Sequence, residues 1–245
     1  MLIKCPYGLC VLGLTLLPVL PSFAKPPIVA IDAGHSIAHS GATSASGKPE
    51  FDFNAALATI FSNFLAAQGV QVIKIGHDGM MADLLQRPQL ANAAGADFFL
   101  SVHHDSAQPR YFRPWQWEGK TLQHTDHAAG FSLFVSRKNP YVAESLRCAS
   151  ALGKSLRQAG FYPSQHHAEA IEGENKSWAD QINGVFYYDN LVVLKATVMP
   201  AVLLEAAVIA NRQDEDNITK PQVRQQMAVA VAKGLSACGV LPPSH

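Results

Sequence analysis

The feature that most restricts what this chain can fold into is a switch of hydrophobic period, repeated along its first hundred residues. PPIVAIDAG, VQVIKI (70–75) and ADFFLSV (96–102) are short apolar runs rich in β-branched and aromatic residues, the pattern of buried strands. Between the first two, Phe53, Ala56, Leu57, Ile60, Phe61, Phe64 and Leu65 recur at steps of three and four until Gly69, as in an amphipathic helix, with Asp52 placed to cap it. A second helix through LLQRPQLANAAG separates the second strand from the third. The order β-α-β-α-β joins parallel strands through crossover helices, so the expected class is α/β, a mostly parallel central sheet flanked by helices.

From Ser106 to about Gly130 the periodicity dissolves into a stretch rich in aromatics and histidines, and a second irregular stretch covers 163–182. Strand character resumes at 131–136, helical spacing at 141–159 up to Gly160, and strand character again around 185–188 and 191–194. PAVLLEAAVI carries the last core strand, and Val223, Met227, Ala230, Val231 and Leu235 mark an amphipathic C-terminal helix ending at Gly239. With 245 residues, 48% of them hydrophobic, and no internal repeat, a single domain with two inserted loops accounts for the pattern. Long loops inside such a fold serve as lids or binding surfaces.

The formal charge is zero, which argues against the basic face of a nucleic-acid binder and against a cationic run that seeks anionic lipid. Residues 1–24 carry Lys4, then an uncharged apolar stretch, then Ser22-Phe23-Ala24 with small residues at the positions a signal peptidase inspects. Pro18 and Pro21 interrupt that stretch as a membrane helix. A removed signal peptide (1–24), a folded domain over 25–245, no stable membrane anchor and export to the periplasm or the extracellular space are therefore expected. Cys148 and Cys238 remain in the exported chain, where they either pair or pack as small apolar thiols; the sequence leaves both open.

In a parallel sheet, ligands bind beyond the carboxyl ends of the strands. His35 follows the first strand, His103 follows the third, and Glu205 stands where the last apolar run stops. Glu50, returning from the loop that starts at His35, can reach the same rim. Two histidines and a carboxylate make a three-ligand zinc set that leaves a position for water, and a second carboxylate is what hydrolysis then requires.

These residues sit in three blocks that together resemble the zinc-dependent N-acetylmuramoyl-L-alanine amidases of bacterial cell walls. IVAIDAGHSIAHSGATSASGKPE resembles that family's opening, LLQRPQLANAAGADFFLSVHHD its central signature and VLKATVMPAVLLEAAVIANRQDE its closing block, in order from about residue 27 to 238. The resemblance implies one zinc ion held by His35, Glu50 and His103, with Glu205 as general base. It implies hydrolysis of the amide between N-acetylmuramic acid and L-alanine, with peptidoglycan or its fragments as the partner. Ser36, His77 and Ala206 depart from the family's usual residues at their positions, which bears on substrate fit and leaves the ligand set intact. Regulated members carry inserted elements that cover the zinc, so 106–130 and 163–182 raise the question of occlusion and of a protein activator that relieves it. An exported zinc peptidase or amidohydrolase acting on other small peptides, and a non-catalytic peptidoglycan-binding protein, are the alternatives.

Adjacent residues in a strand point to opposite faces, so only one of His103 and His104 faces the metal. The Ser-Val-His register selects His103 and leaves His104 as a rim or solvent-facing residue, a candidate for supporting a ligand or meeting substrate. Asp105 either accepts a hydrogen bond from a ligating imidazole or caps the next turn. Arg87 reads as a packing residue, and His77 as a residue near the site. Trp115 and Trp117, alongside Arg110 and Arg113, suit stacking on sugars or gripping a peptide carboxylate, or else pack the lid's own small core. His124 and His127 would share a helix face, but read as solvated loop residues, as does the pair His166-His167 unless its loop folds over the site.

Overall fold

The computed structural model describes residues 25–243, so the expected signal peptide lies outside the described residues. Strand β1 (Ile28–Ala33), helix α1 (Glu50–Ala66), β2 (Gln71–Ile75), α2 (Gln86–Ala93) and β3 (Phe98–Asp105) follow the expected alternation. A hairpin of β4 (Arg113–Trp117) and β5 (Lys120–His124) comes next, then β6 (Ser132–Val135) and α3 (Val142–Gln158). The remainder is β7 (Trp178–Asp180), β8 (Val185–Tyr187), α4 (Val192–Lys195), β9 (Ala201–Val208), α5 (Arg212–Thr219) and α6 (Pro221–Ala237).

Seven strands form one sheet in the order β2-β1-β3-β9-β6-β8-β7. The strands β2, β1, β3 and β9 are parallel, β6 runs antiparallel to β9, and β8 and β7 extend that end as one parallel and one antiparallel pairing. The expected parallel sheet is thus real, with a mixed edge. Because the chain steps from β1 to β2 on one side and returns to place β3 on the other, the winding reverses between β1 and β3. That switch point is where an α/β sheet opens a crevice beyond its strand ends.

Strand alternation assigns the two faces. Ile31, Leu100, Val102 and Leu204 pack with Phe61 of α1, Leu152 of α3 and Val231 of α6. Ala30, Phe99 and Leu203 pack on the opposite side with Ala91 of α2 and Leu194 of α4. Cys148 and Cys238 form a disulfide that ties α3 to the end of α6, which resolves the open alternative in favour of pairing. Among the described residues no helix is long and apolar enough to cross a membrane.

Three local expectations change. Helix α1 starts at Glu50, ahead of the expected cap at Asp52: Pro49, with φ −72°, feeds the chain in without a side-chain cap, and both carboxylates sit in the first turn, where the helix dipole favours them. The segment 191–194 is helical, not a strand. The Asn139 amide donates to the carbonyls of Leu194 and Met199 and holds that turn, while Val193 and Leu194 pack on the sheet. The stretch 106–130 contains a hairpin whose turn, Glu118-Gly119, has positive φ at both positions, as a two-residue turn of this kind requires. Helix α5 is marked in sequence only by Asn211, whose side chain accepts from the amides of Gln213 and Asp214 as an N-cap.

Candidate metal centre

His35 lies just beyond β1, and His103 sits near the carboxyl end of β3, paired in register with Glu205 of β9. Glu50 opens α1. One ligand atom each from His35, Glu50 and His103 lie within 4.8 Å of one another. Glu50 spans the group: Oε2 is 3.1 Å from His35 Nε2 and Oε1 is 3.1 Å from His103 Nδ1.

The backbone is shaped for this close approach. His35 has φ +67°, a region that is uncommon for a residue with a Cβ. Arg87 holds it there, buried, donating to the carbonyls of Ala33, His35 and Met81 and pairing at 2.6 Å with Asp32. The second Asp32 oxygen accepts from the Ser101 hydroxyl. A Cβ on Gly34 would stand 2.1 Å from His103 Nε2, and one on Gly41 would stand 2.3 Å from Glu50 Oε2, so both glycines are there to admit the ring and the carboxylate.

Burial works against the Glu50 carboxylate, yet the hydrogen bonds and charges of His103 and His35 hold it well below the usual range. Burial also depresses the His35 imidazole, and the hydrogen bond and charge of Glu50 outweigh it, leaving it raised. Asn54, buried one turn after Glu50, completes the support. Its amide donates to Glu50 Oε1 at 2.9 Å and to the Gly34 carbonyl at 3.1 Å. Its side-chain oxygen accepts from His104 Nδ1 at 2.8 Å. Sequence reasoning missed Asn54, although its place four residues after Glu50 on one helix puts both on the same face.

His104 is therefore not a solvent-facing rim residue. Strand alternation turns it into the face covered by α1, where it is buried beside Phe53, and burial pushes its pKa down to about 3, so the ring is neutral.

Glu205 lines, with His35 and His103, a cavity of about 280 Å³ walled by Leu84, Leu191 and Val192. Its Oε2 is buried with no hydrogen-bond partner. Burial first, then the charges of Asp105 and Glu50, push this carboxyl well above the usual range. Among the described residues, neither 106–130 nor 163–182 lines this cavity or joins the three clustered ligand atoms.

The other candidate residues lie around the group. Asp105 accepts from the Ser106 amide and presents its second oxygen to His166 and His167, both buried rather than solvated. Burial lowers the His167 imidazole, but the charges and hydrogen bonds of Asp105 and Glu174 together outweigh it and lift it to about 9. His77 bonds the Ile31 carbonyl and Thr59, so it braces β1 against α1. Trp115 donates to the Ala45 carbonyl at 2.8 Å, and with Trp117 and Arg212 walls a separate groove of about 350 Å³. His124 ends a strand and is buried edge-on to Trp115, while His127 stacks on Tyr111, so the two share no helix face. Two imidazoles and a carboxylate, converging where glycines clear the space and beside a glutamate with an unpartnered oxygen, are a donor set that fits zinc.

An α/β domain with a candidate metal centre at its switch point is the class that fold and site define. Residues 29–237 match the family model described as N-acetylmuramoyl-L-alanine amidase, and the chain belongs to that family. It is similar to the amidase AmiA of Escherichia coli K12, with 24% identity over 234 residues that cover 85% of this chain and 74% of the relative. Among solved structures it resembles the catalytic domain of CwlV from Bacillus (Paenibacillus) polymyxa var. colistinus, at 25% identity and a TM-score of 0.65, covering 86% of this chain and 96% of that one. It also shares its fold with Ami1 of Mycobacterium smegmatis, at 20% identity and a TM-score of 0.68 over the same shares of the two chains.

Proposed function

We propose that the protein is an exported zinc hydrolase that cleaves the amide between the lactyl group of N-acetylmuramic acid and L-alanine of the stem peptide in peptidoglycan. One observation carries this reading: His35, His103 and Glu205, from three separate sequence blocks, line one cavity, and Glu50 clusters with its two histidines. In this reading His35, Glu50 and His103 hold the ion. When bound, zinc polarises the amide carbonyl and lowers the pKa of water at the site.

The chain's own groups do the rest. Glu205, with one oxygen free of hydrogen bonds, accepts a proton from the attacking water and delivers it to the departing nitrogen. Its raised proton affinity suits the delivering half of that cycle. Asn54 orients Glu50, and Arg87 fixes the turn that carries His35. The groove walled by Trp115 and Trp117 offers aromatic faces on which a sugar can stack. The Cys148–Cys238 disulfide supports export, with 1–24 removed and 25–245 as the working domain.

The test is digestion of purified sacculi by the zinc-loaded mature chain, expected to release stem peptides that begin with a free L-alanine. Glu205→Gln should lower kcat by about 10²- to 10⁴-fold with zinc content unchanged. Release of C-terminal amino acids would instead assign a peptidase, and wall binding without cleavage a non-catalytic protein. Hydrolysis at full rate in Glu205→Gln would remove the glutamate from the mechanism.

A further inference from the structure

A second group of two histidines and one carboxylate lies outside the cluster described above. Asp105, His166 and His167 each offer a ligand atom, all within 4.8 Å of one another. His167 Nε2 is 2.7 Å and His166 Nε2 is 3.3 Å from the same oxygen, Asp105 Oδ2. The side chains are 15%, 5% and 9% exposed for Asp105, His166 and His167 respectively, so the group is desolvated.

The far nitrogen of each ring is already engaged. His166 Nδ1 is 2.7 Å from the Ser164 hydroxyl, and His167 Nδ1 is 2.8 Å from Glu174 Oε2. Glu174 is itself held by Gln108 at 2.8 Å and by Lys176 at 3.2 Å. With a carboxylate on each nitrogen, the ion-free His167 ring carries both protons; a cation would displace the Nε2 proton while Glu174 keeps the Nδ1–H oriented, the arrangement found behind ligating histidines. An ion pair between Asp105 and His167 would account for one ring only. His166 Nε2 is buried with no hydrogen-bond partner and is aimed at the same oxygen, which a simple ion pair leaves unexplained. His166 also lines a surface cavity of about 520 Å³, which gives an ion a way in.

We propose that Asp105, His166 and His167 form a second site for a divalent first-row cation, zinc being the best match to two imidazoles and a carboxylate, built by docking the segment 163–182 against the end of β3. The cation clamps that segment beside Glu205's strand, since Asp105 lies two residues beyond His103. The inference does not depend on what the protein hydrolyses.

Zinc content measured after loading and dialysis tests it. The mature chain should hold two zinc ions, the His166→Gln/His167→Gln variant one, and a His35→Ala/His103→Ala variant one. Equal zinc content in the wild type and in His166→Gln/His167→Gln would overturn the second site, whereas loss confined to that variant would upset the first. Anomalous diffraction at the zinc edge from wild-type crystals needs no variant to fold. A peak among Asp105 Oδ2 and the two Nε2 atoms supports the proposal, and its absence from zinc-loaded crystals refutes it.

Discussion

Two pairs of adjacent histidines behave in opposite ways. His103 and His104 are neighbours in β3, so one faces the cavity with Glu205 and the other is driven under α1 onto Asn54. His166 and His167 are neighbours in a single 3-10 turn, His166–Ala168, where their ring centres lie 3.9 Å apart and both Nε2 atoms face Asp105. A strand separates consecutive side chains, whereas a tight turn can gather them. The strand pair must therefore recruit its companions from distant elements, which makes the His35–Glu50–His103 group a product of the sheet's topology. The turn pair needs only Asp105 from the sheet, so its group exists only while the insertion stays docked.

The largest effect should come from testing the strand pair directly. His103→Ala should remove zinc from the first cluster and leave no hydrolysis above background. His104→Gln should keep the ion, with affinity reduced by about 10- to 100-fold at most, because the His104 ring reaches Glu50 through Asn54 and the His104 amide that donates to Glu50 directly is kept. Equal zinc loss in both variants, measured at the same free zinc, would erase the distinction between the two histidines.

The disulfide serves as a control remote from both groups. Closing a loop across 90 positions of sequence contributes about 4–5 kcal/mol by the chain-entropy argument. Cys148→Ala/Cys238→Ala should thus lower the denaturation midpoint strongly while activity per folded molecule and zinc content stay unchanged. Arg87→Met should cost somewhat less, about 3–5 kcal/mol, by stranding buried Asp32 without its partner. Unlike the disulfide variant it should also weaken zinc binding, since it frees the His35 turn; intact affinity in Arg87→Met would show that the turn holds itself.

That contrast also explains what was legible in the sequence. The alternation of strand and helix periods, with polar residues stranded at strand ends, was enough to single out His35, His103 and Glu205 as candidates that lie together, because a parallel sheet delivers strand ends to one edge whatever its loops do. Glu50 followed from the loop that must return to that edge. Asn54 and the partners of His104 were hidden because burial on the second face depends on how α1 lies on β3, and no single spacing encodes that. The Asp105–His166–His167 group was out of reach for a different reason. A contact between β3 and an insertion more than sixty positions later is fixed by docking, and an irregular stretch carries no period from which docking can be read.

The last effect is told by sign, not size: the two pairs should give opposite pH slopes of stability, measured in chelator so that no ion intervenes. His104 has an ordinary pKa of 6.5 when unfolded and about 3 when folded, since burial excludes its proton. The unfolded chain therefore binds the proton first, and the stability contributed is whole above pH 6.5 and drains as pH falls toward 3, by about 1.4 kcal/mol per pH unit. His167 runs the other way. Its folded value is about 9, so its contribution is whole below pH 6.5 and drains as pH rises to 9. Thermal midpoints across pH 4–9 should show both limbs, with His104→Gln flattening only the acid one and His167→Gln only the alkaline one. Carboxylates such as Glu50 add to the acid limb in every variant, so the difference between variant and wild type carries the information. An acid limb equally steep in His104→Gln would mean that His104 takes up its proton without loss, and that the closed packing of α1 over β3 opens readily in solution.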